Sequence, residues 1–224
     1  GLYVSSADDI TIKSNTVSDN NAGIFISTSD DPILSSNTIE SQTTFGVYII
    51  ESERVKFKSN IVKNNDEDAL TLSSGCDDSF IDNNTIKDNG QSSVGKAIKL
   101  FEVDDTIIYN NSILSNDYTG ITIALSNSNF IIHNTIKSNG KYGISITSDL
   151  TTSANNTIKD NTINDNQDIA IYIDGIFTKI INNTIKYNDK DGIQILANGA
   201  RTTIQQNNFV DNEENAIHVI GNNV

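Results

Sequence analysis

Aliphatic residues alternate with other residues in short segments that recur along the whole chain. Each segment begins with Gly or Ala and continues as aliphatic, any residue, aliphatic, as in Gly143-Ile144-Ser145-Ile146. Alternation with period two is typical of a β-strand that buries one face. The pattern therefore predicts one such strand in every repeat. The segments begin at Gly23, Gly46, Ala69, Ala97, Gly120, Gly143, Ala170, Gly192 and Ala216.

A second phrase lies between these strands. It consists of an Asn, usually a small polar residue, an aliphatic residue, and another amide five positions after the first. Successive phrases begin 22 to 27 residues apart, a period that indicates a solenoid. The pairs are Asn15/Asn20, Asn37/Gln42, Asn60/Asn65, Asn84/Asn89, Asn111/Asn116, Asn134/Asn139, Asn161/Asn166, Asn183/Asn188 and Asn207/Asn212.

A third apolar position, three residues before each leading Asn, completes the repeat. These residues are Ile12, Leu34, Phe57, Ile81, Ile108, Ile131, Ile158, Ile180 and Ile204. Each repeat then contains three short strands separated by turn-forming residues. One repeat cannot bury its aliphatic residues alone, but stacked repeats can. The sequence predicts an all-β, right-handed, single-stranded parallel β-helix of nine to ten coils, on the order of 45 Å long at a strand spacing of about 4.8 Å.

The recurring Asn residues are explained by the same architecture. A turn residue that faces inward can adopt a left-handed backbone conformation, which Asn tolerates better than most residues. An amide both donates and accepts hydrogen bonds, so each Asn can bond to the Asn of the neighbouring coils. We therefore interpret these residues as structural rather than catalytic or metal-binding.

The repeated phrases resemble those of the parallel β-helix repeat family. Clear examples are Asn84-Thr85-Ile86-Lys87-Asp88-Asn89 and Asn134-Thr135-Ile136-Lys137-Ser138-Asn139. That family includes secreted carbohydrate-active enzymes, surface proteins and periplasmic copper-maturation proteins. The resemblance covers essentially the whole chain and implies the scaffold, but it does not imply one activity.

Composition excludes several classes of function. The formal net charge is −14 and the pI is near 4.3, which argues against nucleic acid and anionic membrane surfaces as partners. No apolar stretch approaches the roughly 20 residues needed to span a bilayer. Cys76 is the only cysteine, so we expect no intrachain disulfide, and we expect its side chain to be buried.

Both ends of the chain lie within the repeat pattern. Gly1-Leu2-Tyr3-Val4 already matches the recurring strand, and the pattern continues to the last residues. Solenoids usually carry polar caps that cover their open sheet edges. We therefore expect residues 1–224 to be a single β-helix domain, an uncapped segment of a longer chain, with self-assembly or neighbouring domains at its open coil ends.

An acidic pair recurs in one turn of the first coils. Carboxylates together with carbonyl and amide oxygens are the ligands that Ca²⁺ prefers, but Asp is also a good turn former. The sequence leaves both readings open, Ca²⁺ bridging adjacent coils or a solvated turn. The candidate calcium ligands are Asp8, Asp9, Asp30, Asp31, Asp77, Asp78, Asp104 and Asp105.

Two further sets of residues are candidate sites. Tyr3, Phe25 and Tyr48 project from the same strand of three consecutive coils, so we expect them to form a packing contact or a platform for sugar rings. Four N-glycosylation sequons occur where Asn precedes the repeated Asn-Thr or Asn-Ser, a weak motif here because the repeat itself creates it. Their acceptor residues are Asn83, Asn110, Asn155 and Asn182.

Catalysis has little support in the sequence. The two histidines, His133 and His218, belong to distant coils, as do the two arginines. Acid–base catalysis requires such groups to converge. Lys99 and Lys137 are possible bases that nothing distinguishes from solvated lysines. With no Met, two distant His and one Cys, the chain also lacks a set of copper ligands.

The sequence therefore favours a non-catalytic structural or adhesive β-helix of an extracellular, cell-surface, surface-layer or filament protein. The alternative is a carbohydrate-active β-helix, either a polysaccharide lyase or uronan epimerase or a glycan-binding module. We expect no nucleic acid partner, no membrane insertion, and no certain cofactor apart from the possible Ca²⁺.

Overall fold

A computed structural model describes residues 1–91, 94–148 and 153–221. The described residues form 28 short strands and no helix. In chain order the strands are β1 Leu2–Ser5, β2 Thr11–Lys13, β3 Thr16–Ser18, β4 Ile24–Ser27, β5 Ile33–Ser35, β6 Thr38–Glu40, β7 Val47–Ile50, β8 Lys56–Lys58, β9 Ile61–Lys63, β10 Leu70–Ser73, β11 Phe80–Asp82, β12 Thr85–Lys87, β13 Ile98–Phe101, β14 Ile107–Tyr109, β15 Ser112–Leu114, β16 Ile121–Ala124, β17 Phe130–Ile132, β18 Thr135–Lys137, β19 Ile144–Thr147, β20 Thr157–Lys159, β21 Thr162–Asn164, β22 Ile171–Ile173, β23 Lys179–Ile181, β24 Thr184–Lys186, β25 Ile193–Ile195, β26 Thr203–Gln205, β27 Asn208–Val210 and β28 Ile217–Val219.

Every third strand belongs to the same parallel sheet, so the chain coils through three sheets in turn. Sheet A contains ten strands from β1 to β28, sheet B nine strands from β2 to β26, and sheet C nine strands from β3 to β27. The register aligns equivalent residues of successive coils, as where Ile98 pairs with Leu70 on one side and Ile121 on the other. The predicted right-handed β-helix with three strands per coil is confirmed.

One continuous apolar core runs through the interior of all three sheets. The aliphatic residues of the recurring strands point inward and are almost completely inaccessible, for example Ile121 and Ile123 of β16. Complete burial of an aliphatic side chain contributes about 1.5–3 kcal/mol relative to its exposure. Because adjacent coils share this core, no coil is an independent folding unit.

The left-handed turn residue is not the Asn itself, contrary to the prediction. The positive φ falls on the residue immediately before each amide, as at Asn83 (φ 55°) before Asn84 and Asn110 (φ 54°) before Asn111. The left-handed residue turns the chain outward and is solvent-facing, so the following Asn can direct its side chain into the interior. Buried amides can then stack at the corner.

The amides form two buried ladders along the helix, as the sequence predicts. Within a ladder, the Oδ1 atom of one Asn accepts hydrogen bonds from both the backbone N–H and the side-chain amide of the Asn one coil earlier. Asn134 Oδ1, for example, lies 2.8 Å from the backbone nitrogen of Asn111 and 3.0 Å from its Nδ2. This arrangement satisfies polar groups that would otherwise be costly to bury.

Two further polar ladders lie at the corner between sheets A and B, one immediately before and one immediately after the position of the acidic pair, and neither was predicted from the sequence. The residues at these positions are buried, but they differ in type from coil to coil, so no single residue type repeats. The backbone N–H of Ser29 donates to Ser52 Oγ at 3.0 Å, and that of Asn129 donates to Asn156 Oδ1 at 2.9 Å. The longer segments Asn89–Ala97 and Ser148–Asn156 contain residues 92–93 and 149–152, which lie outside the described residues.

Candidate functional site

The acidic pairs lie at the corner between sheets A and B, and the two members of a pair have different structural roles. The first carboxylate accepts the backbone N–H of the equivalent residue in the next coil. Asp77 Oδ1 accepts from Asp104 at 2.7 Å, and Asp104 Oδ1 accepts from Asn127 at 2.6 Å. Asp8 and Asp30 act in the same way. Backbone hydrogen bonding thus accounts for the repetition of this residue.

The second member of each pair is a left-handed turn residue. Asp9, Asp31, Asp78 and Asp105 have φ values between 53° and 56°. In the third coil Arg54 takes this position and binds Asp31 of the preceding coil, with Nη2 2.9 Å from Oδ2. The hydrogen bond from Arg54 holds the pKa of Asp31 below its usual range. Burial raises the pKa of Asp77, only partly offset by the hydrogen bond from Asp104.

Within the described ranges, no three His, Cys, Asp or Glu side chains are arranged to hold a metal ion. The calcium ligands proposed from the sequence are stacked along the corner rather than gathered around one point. Ca²⁺ needs six to eight oxygen ligands, so waters and backbone carbonyls would have to supply most of them. Calcium binding at this corner stays a prediction.

The aromatic residues predicted to share a strand column do stack. The rings of Tyr3 and Phe25 lie 5.2 Å apart at 8°, and those of Phe25 and Tyr48 lie 5.8 Å apart at 10°. Since the ring faces cover one another along the helix axis, the stack offers mainly ring edges to a lateral ligand. This geometry suits side-chain packing better than the face-on stacking of a sugar. The packing contact and the sugar platform both stay predictions.

Three sequon acceptors, Asn83, Asn110 and Asn182, lie at the corner between sheets B and C, and Asn155 lies at the corner between sheets A and B. All are exposed, each has a positive φ, and each precedes a buried ladder Asn. Asn110 Nδ2 donates weakly to Asn83 Oδ1, 3.5 Å away on the adjacent coil. The acceptor amides are therefore accessible in the folded chain, and their glycosylation stays a prediction.

A cluster of lysine and tyrosine residues on the outer face of sheet A was not found from the sequence. Lys99, Thr122, Ser145 and Tyr172 occupy the same outward position on β13, β16, β19 and β22. The small side chains of Thr122 and Ser145 separate the two large ones. The turns that precede these strands form a wall beside this row, built from Lys96, Tyr118, Lys141 and Tyr142.

Lys141 is the centre of this cluster. Its Nζ donates a hydrogen bond to Tyr118 Oη at 2.7 Å and lies 4.6 Å from the ring centroids of both Tyr118 and Tyr142. Burial alone would lower the pKa of Lys141, but the Tyr118 hydrogen bond and nearby negative groups raise it. The ring of Tyr142 stacks on Tyr172 at 4.8 Å, and burial raises the pKa of Tyr172. Lys141 is therefore cationic, and Tyr172 neutral, at neutral pH.

None of the three lysines in the cluster forms a direct ion pair with a carboxylate of the described residues. Among the residues that the structure describes, no Asp or Glu oxygen lies within 4.0 Å of the ammonium of Lys96, Lys99 or Lys141. Other lysines are paired, as Lys63 is with Glu40 at 2.8 Å. The sheet A cluster thus presents three ammonium groups without a direct ion pair, together with aromatic rings, and the carboxylate of Asp168 acts on Lys141 from a greater distance.

A polar cleft of about 600 Å³ adjoins the wall of this cluster. It lies along the corner between sheets C and A, and its lining carries amide, hydroxyl and carboxylate groups that can bond to a polyhydroxylated ligand. The lining residues are Gln91, Ser115, Asn116, Asp117, Ser138, Gly140 and Gln167. The cleft and the lysine–tyrosine cluster together form the candidate binding face.

The two histidines do not converge with each other, although His218 lies on the outer face of sheet A, two strands beyond Tyr172 in the same outward column. His133 is exposed on the corner between sheets B and C, 3.8 Å from Asp160. His218 lies on β28, where its Nδ1 is 2.9 Å from the buried carboxylate of Asp191. In the described part of the chain, the cluster's own Lys141 and Tyr118 are the closest pair of acid–base groups on the candidate face.

Copper ligands do not come together either. The thiol of Cys76 is completely buried and donates to the carbonyl oxygens of Ser73 and Ile49. The chain contains no Met, and its two histidines lie apart, His133 in the turn between β17 and β18 and His218 on β28. Soft thioether or thiolate ligands and clustered imidazoles, which copper prefers, are therefore not provided by these residues.

Two family models match the chain. Residues 1–151 match the model described as periplasmic copper-binding protein (NosD), and residues 92–224 match the model described as right handed beta helix region. A comparison with curated protein sequences gives no match.

Solved structures with the same fold include two epimerases and a glucanase. The A-module of the Azotobacter vinelandii mannuronan C-5 epimerase AlgE6 is 17% identical with a TM-score of 0.84, over 96% of this chain and 62% of its own. The periplasmic alginate epimerase AlgG is 16% identical with a TM-score of 0.69, over 92% and 50%. The catalytic domain of a GH87 alpha-1,3-glucanase, in complex with tetrasaccharides, is 12% identical with a TM-score of 0.71, over 94% and 48%.

These likenesses extend to the fold alone, because the identities are low. The chain spans about half to three-fifths of the length of the structures that it matches. No helix in the described residues is long and apolar enough to cross a membrane.

Proposed function

The chain belongs to the NosD and right-handed β-helix families, and we propose that it is a non-catalytic, adhesive β-helix that binds an acidic polysaccharide. The ligand lies across the outer face of sheet A, over the lysine–tyrosine cluster and the adjoining polar cleft. The protein acts outside the cytoplasm, a location supported by the words periplasmic in the NosD family description and in the name of AlgG.

The observation that carries this proposal is the position of Lys96, Lys99 and Lys141 among aromatic rings, without a direct ion pair to any carboxylate of the described residues. Hydrogen bonds between ammonium groups and carboxylates are about twice as strong as those between neutral groups. The ring of Phe101 lies beside Lys99, with the ammonium 5.6 Å from its centroid. Carboxylates of uronate residues match the lysines, and the apolar faces of sugars match exposed aromatic surface.

The repeat of the protein also suits an extended polymer. Equivalent side chains on sheet A recur about every 4.8 Å, close to the length of one sugar ring in an extended polysaccharide. Thr122 and Ser145 leave room between Lys99 and Tyr172, and the hydroxyl and amide groups of the cleft can bond to sugar hydroxyls. A rigid scaffold keeps these groups in position before the ligand binds.

The net charge of −14 repels a polyanionic ligand at long range, but it does not prevent that ligand from binding at this face. At physiological ionic strength the Debye length is about 8 Å. Distant carboxylates are therefore largely screened, whereas the three lysines act in direct contact. We expect affinity to fall steeply at high salt, since the attraction of the lysines is then screened as well.

A second candidate function is a uronan lyase or epimerase, which the contact between Lys141 and Tyr118 favours. Both reactions begin with removal of the proton next to the uronate carboxyl group. A positioned base and a cation that neutralises the carboxylate are the groups this step requires. Tyr118 would be the base and Lys99 the neutralising cation.

The experiment is calorimetric titration with oligouronates, with neutral glucan oligosaccharides as the control ligand. Lys99→Ala with Lys141→Ala should weaken oligouronate binding at least tenfold, because a lost charge-assisted bond costs about 1.5–3 kcal/mol and about 1.4 kcal/mol is tenfold. Lys137→Ala with Lys186→Ala on sheet C removes the same charge and should leave binding unchanged.

The proposal is contradicted if the protein binds no oligouronate, or if both pairs of substitutions weaken binding equally. Incubation with mannuronan and polygalacturonate separates the two candidate functions. Unsaturated products or C5-epimerised residues that disappear in Tyr118→Phe would establish the enzyme, and recovery of unchanged polymer supports the binding protein.

A further inference from the structure

The outer face of sheet B carries an apolar patch away from the candidate binding face. We call it the lysine-rimmed patch and define it by five residues on three adjacent strands: Phe80, Ile107, Tyr109, Phe130 and Ile132. Phe80 pairs with Ile107 and Ile107 with Phe130 in the sheet, so their side chains are neighbours. Phe80, Tyr109 and Phe130 are 37%, 38% and 39% exposed, and contiguous apolar surface of this kind marks interaction sites.

Lysines border this patch at both ends along the helix axis. Lys56 and Lys58 occupy the outward positions of β8, just before the patch, and Lys159 and Lys179 occupy β20 and β23, just after it. Lys159 contacts Asp160 at 3.6 Å. In the described segments, no carboxylate lies within salt-bridge distance of the other three. The patch is thus an apolar surface with lysines at both axial ends; Asp82 lies beside Tyr109 within it, and exposed Asp78 and Asp105 of the acidic corner lie along one side.

A second surface has the opposite character. The aromatic stack of Tyr3, Phe25 and Tyr48 on sheet A continues into a groove of about 220 Å³, to which Glu67 and Asp68 contribute carboxylates. On its other side the stack is bordered by the acidic corner between sheets A and B, which includes exposed Glu51, Asp8 and Asp9. The acid-rimmed stack, as we call it, is therefore apolar in the centre and negative along its two sides, and Lys99 follows it in the same column, two strands beyond Tyr48.

We propose that the lysine-rimmed patch of one copy of this chain docks on the acid-rimmed stack of another. Two copies of the same surface repel each other. A two-fold contact between two lysine-rimmed patches would bring lysines against lysines, and one between two acid-rimmed stacks would bring carboxylates against carboxylates. Each complements the other in both charge and apolar character, which favours the mixed contact. The contact is heterologous, so it leaves one free surface on every copy and can extend into a filament.

The interface relies on few large side chains, so the association is weak and depends on concentration. Light scattering of the native chain should give an average mass that rises above the 24.4 kDa of the monomer as protein concentration increases. Added salt should lower that mass. Lys56→Glu with Lys179→Glu, or Glu51→Lys with Glu67→Lys, should each return the mass to that of the monomer. All four residues are exposed, so these changes leave the core intact.

Mixing the two variants is the decisive measurement. In the mixture, the patch of either variant meets the stack of the other with opposite charge: glutamates face lysines in one contact and lysines face carboxylates in the other. The average mass should therefore recover to the native value. Lys87→Glu with Lys186→Glu on sheet C makes the same charge change as the first variant and should keep the native association. A native chain that stays monomeric at all concentrations overturns the proposal. So does a mixture that fails to recover, or a two-fold dimer that either variant preserves.

Discussion

Asn84 donates two hydrogen bonds to one atom of Asn111, the next residue of its ladder. The backbone nitrogen and the Nδ2 atom of Asn84 both lie 2.9 Å from Asn111 Oδ1. Asn84 Nδ2 also donates to the carbonyl of Phe57 on the preceding coil at 2.9 Å. The ladder therefore ties three consecutive coils together at a corner that water does not reach.

Removing one member of the ladder should destabilise the whole solenoid. Asn111→Ala leaves two donors of Asn84 without their acceptor and leaves the Ile81 carbonyl without the Asn111 amide. Each buried group left unsatisfied costs about 1–3 kcal/mol, so we expect the free energy of unfolding to fall by about 3 kcal/mol or more. Chemical denaturation measures it. The control is Asn110→Gly, one residue earlier, which removes an exposed amide and suits the positive φ. Equal effects of the two changes would contradict the structural role of the ladder.

Calcium should raise the melting temperature if it bridges the acidic corner. A ligand that binds only the folded state stabilises it in proportion to ligand concentration over Kd. We therefore expect a higher melting temperature in CaCl₂ than in EDTA, and no difference in Asp78→Asn with Asp105→Asn. Asn tolerates the left-handed conformation of both positions. Mg²⁺ is the control ion, because it demands a more rigid octahedral site. A melting temperature that EDTA leaves unchanged would refute calcium binding.

Asp191 should make the last coils sensitive to acid. Burial alone would raise the pKa of Asp191, but hydrogen bonds from Asn215 and His218 outweigh it and lower the pKa. Its ionised form therefore stabilises the folded state above the usual carboxyl pKa, and this stabilisation is lost as pH falls through the lowered value. Between about pH 5 and pH 2, the native protein should lose more thermal stability than Asp191→Asn. Exposed Asp189→Asn is the matched control and should behave like the native protein.

Cys76 should react with thiol reagents only after unfolding. The side chain is fully buried, and burial raises the pKa of its thiol to about 11. Because the thiolate is the reactive form, iodoacetamide should leave the native chain unmodified and should label it completely in denaturant. Mass spectrometry distinguishes the two products. Rapid labelling under native conditions would show that the coil containing Cys76 opens readily.

Much of the fold follows from short-range pattern in the sequence. The period-two segments predicted the strands of sheet A, and the apolar residue before each leading Asn predicted those of sheet B. The Asn phrase predicted the strands of sheet C and both Asn ladders. Burial of Cys76 was also predicted. These predictions succeed because each repeat must place its apolar residues in the same interior, so identical constraints recur every 22 to 27 residues.

The candidate sites could be predicted from the sequence only in part, as three examples show. Asp77 and Asp78 look alike in sequence, but one accepts a backbone hydrogen bond from the next coil and the other forms a left-handed turn. Lys141 and Tyr118 are 23 residues apart, and nothing local distinguishes them from other surface residues. The two ladders between sheets A and B were not predicted, because Ser, Thr and Asn can all fill their inward positions.

The sequence by itself determined the number of sheets, the direction in which the side chains of the strands point, and the aliphatic residues of the core. Those properties depend on alternation within a strand, which is local. Only the tertiary structure decided which outward residues become neighbours, because that depends on the register between coils of unequal length. The lysine–tyrosine cluster, the lysine-rimmed patch and the acid-rimmed stack exist because stacking brings residues of successive coils within a few ångströms of each other.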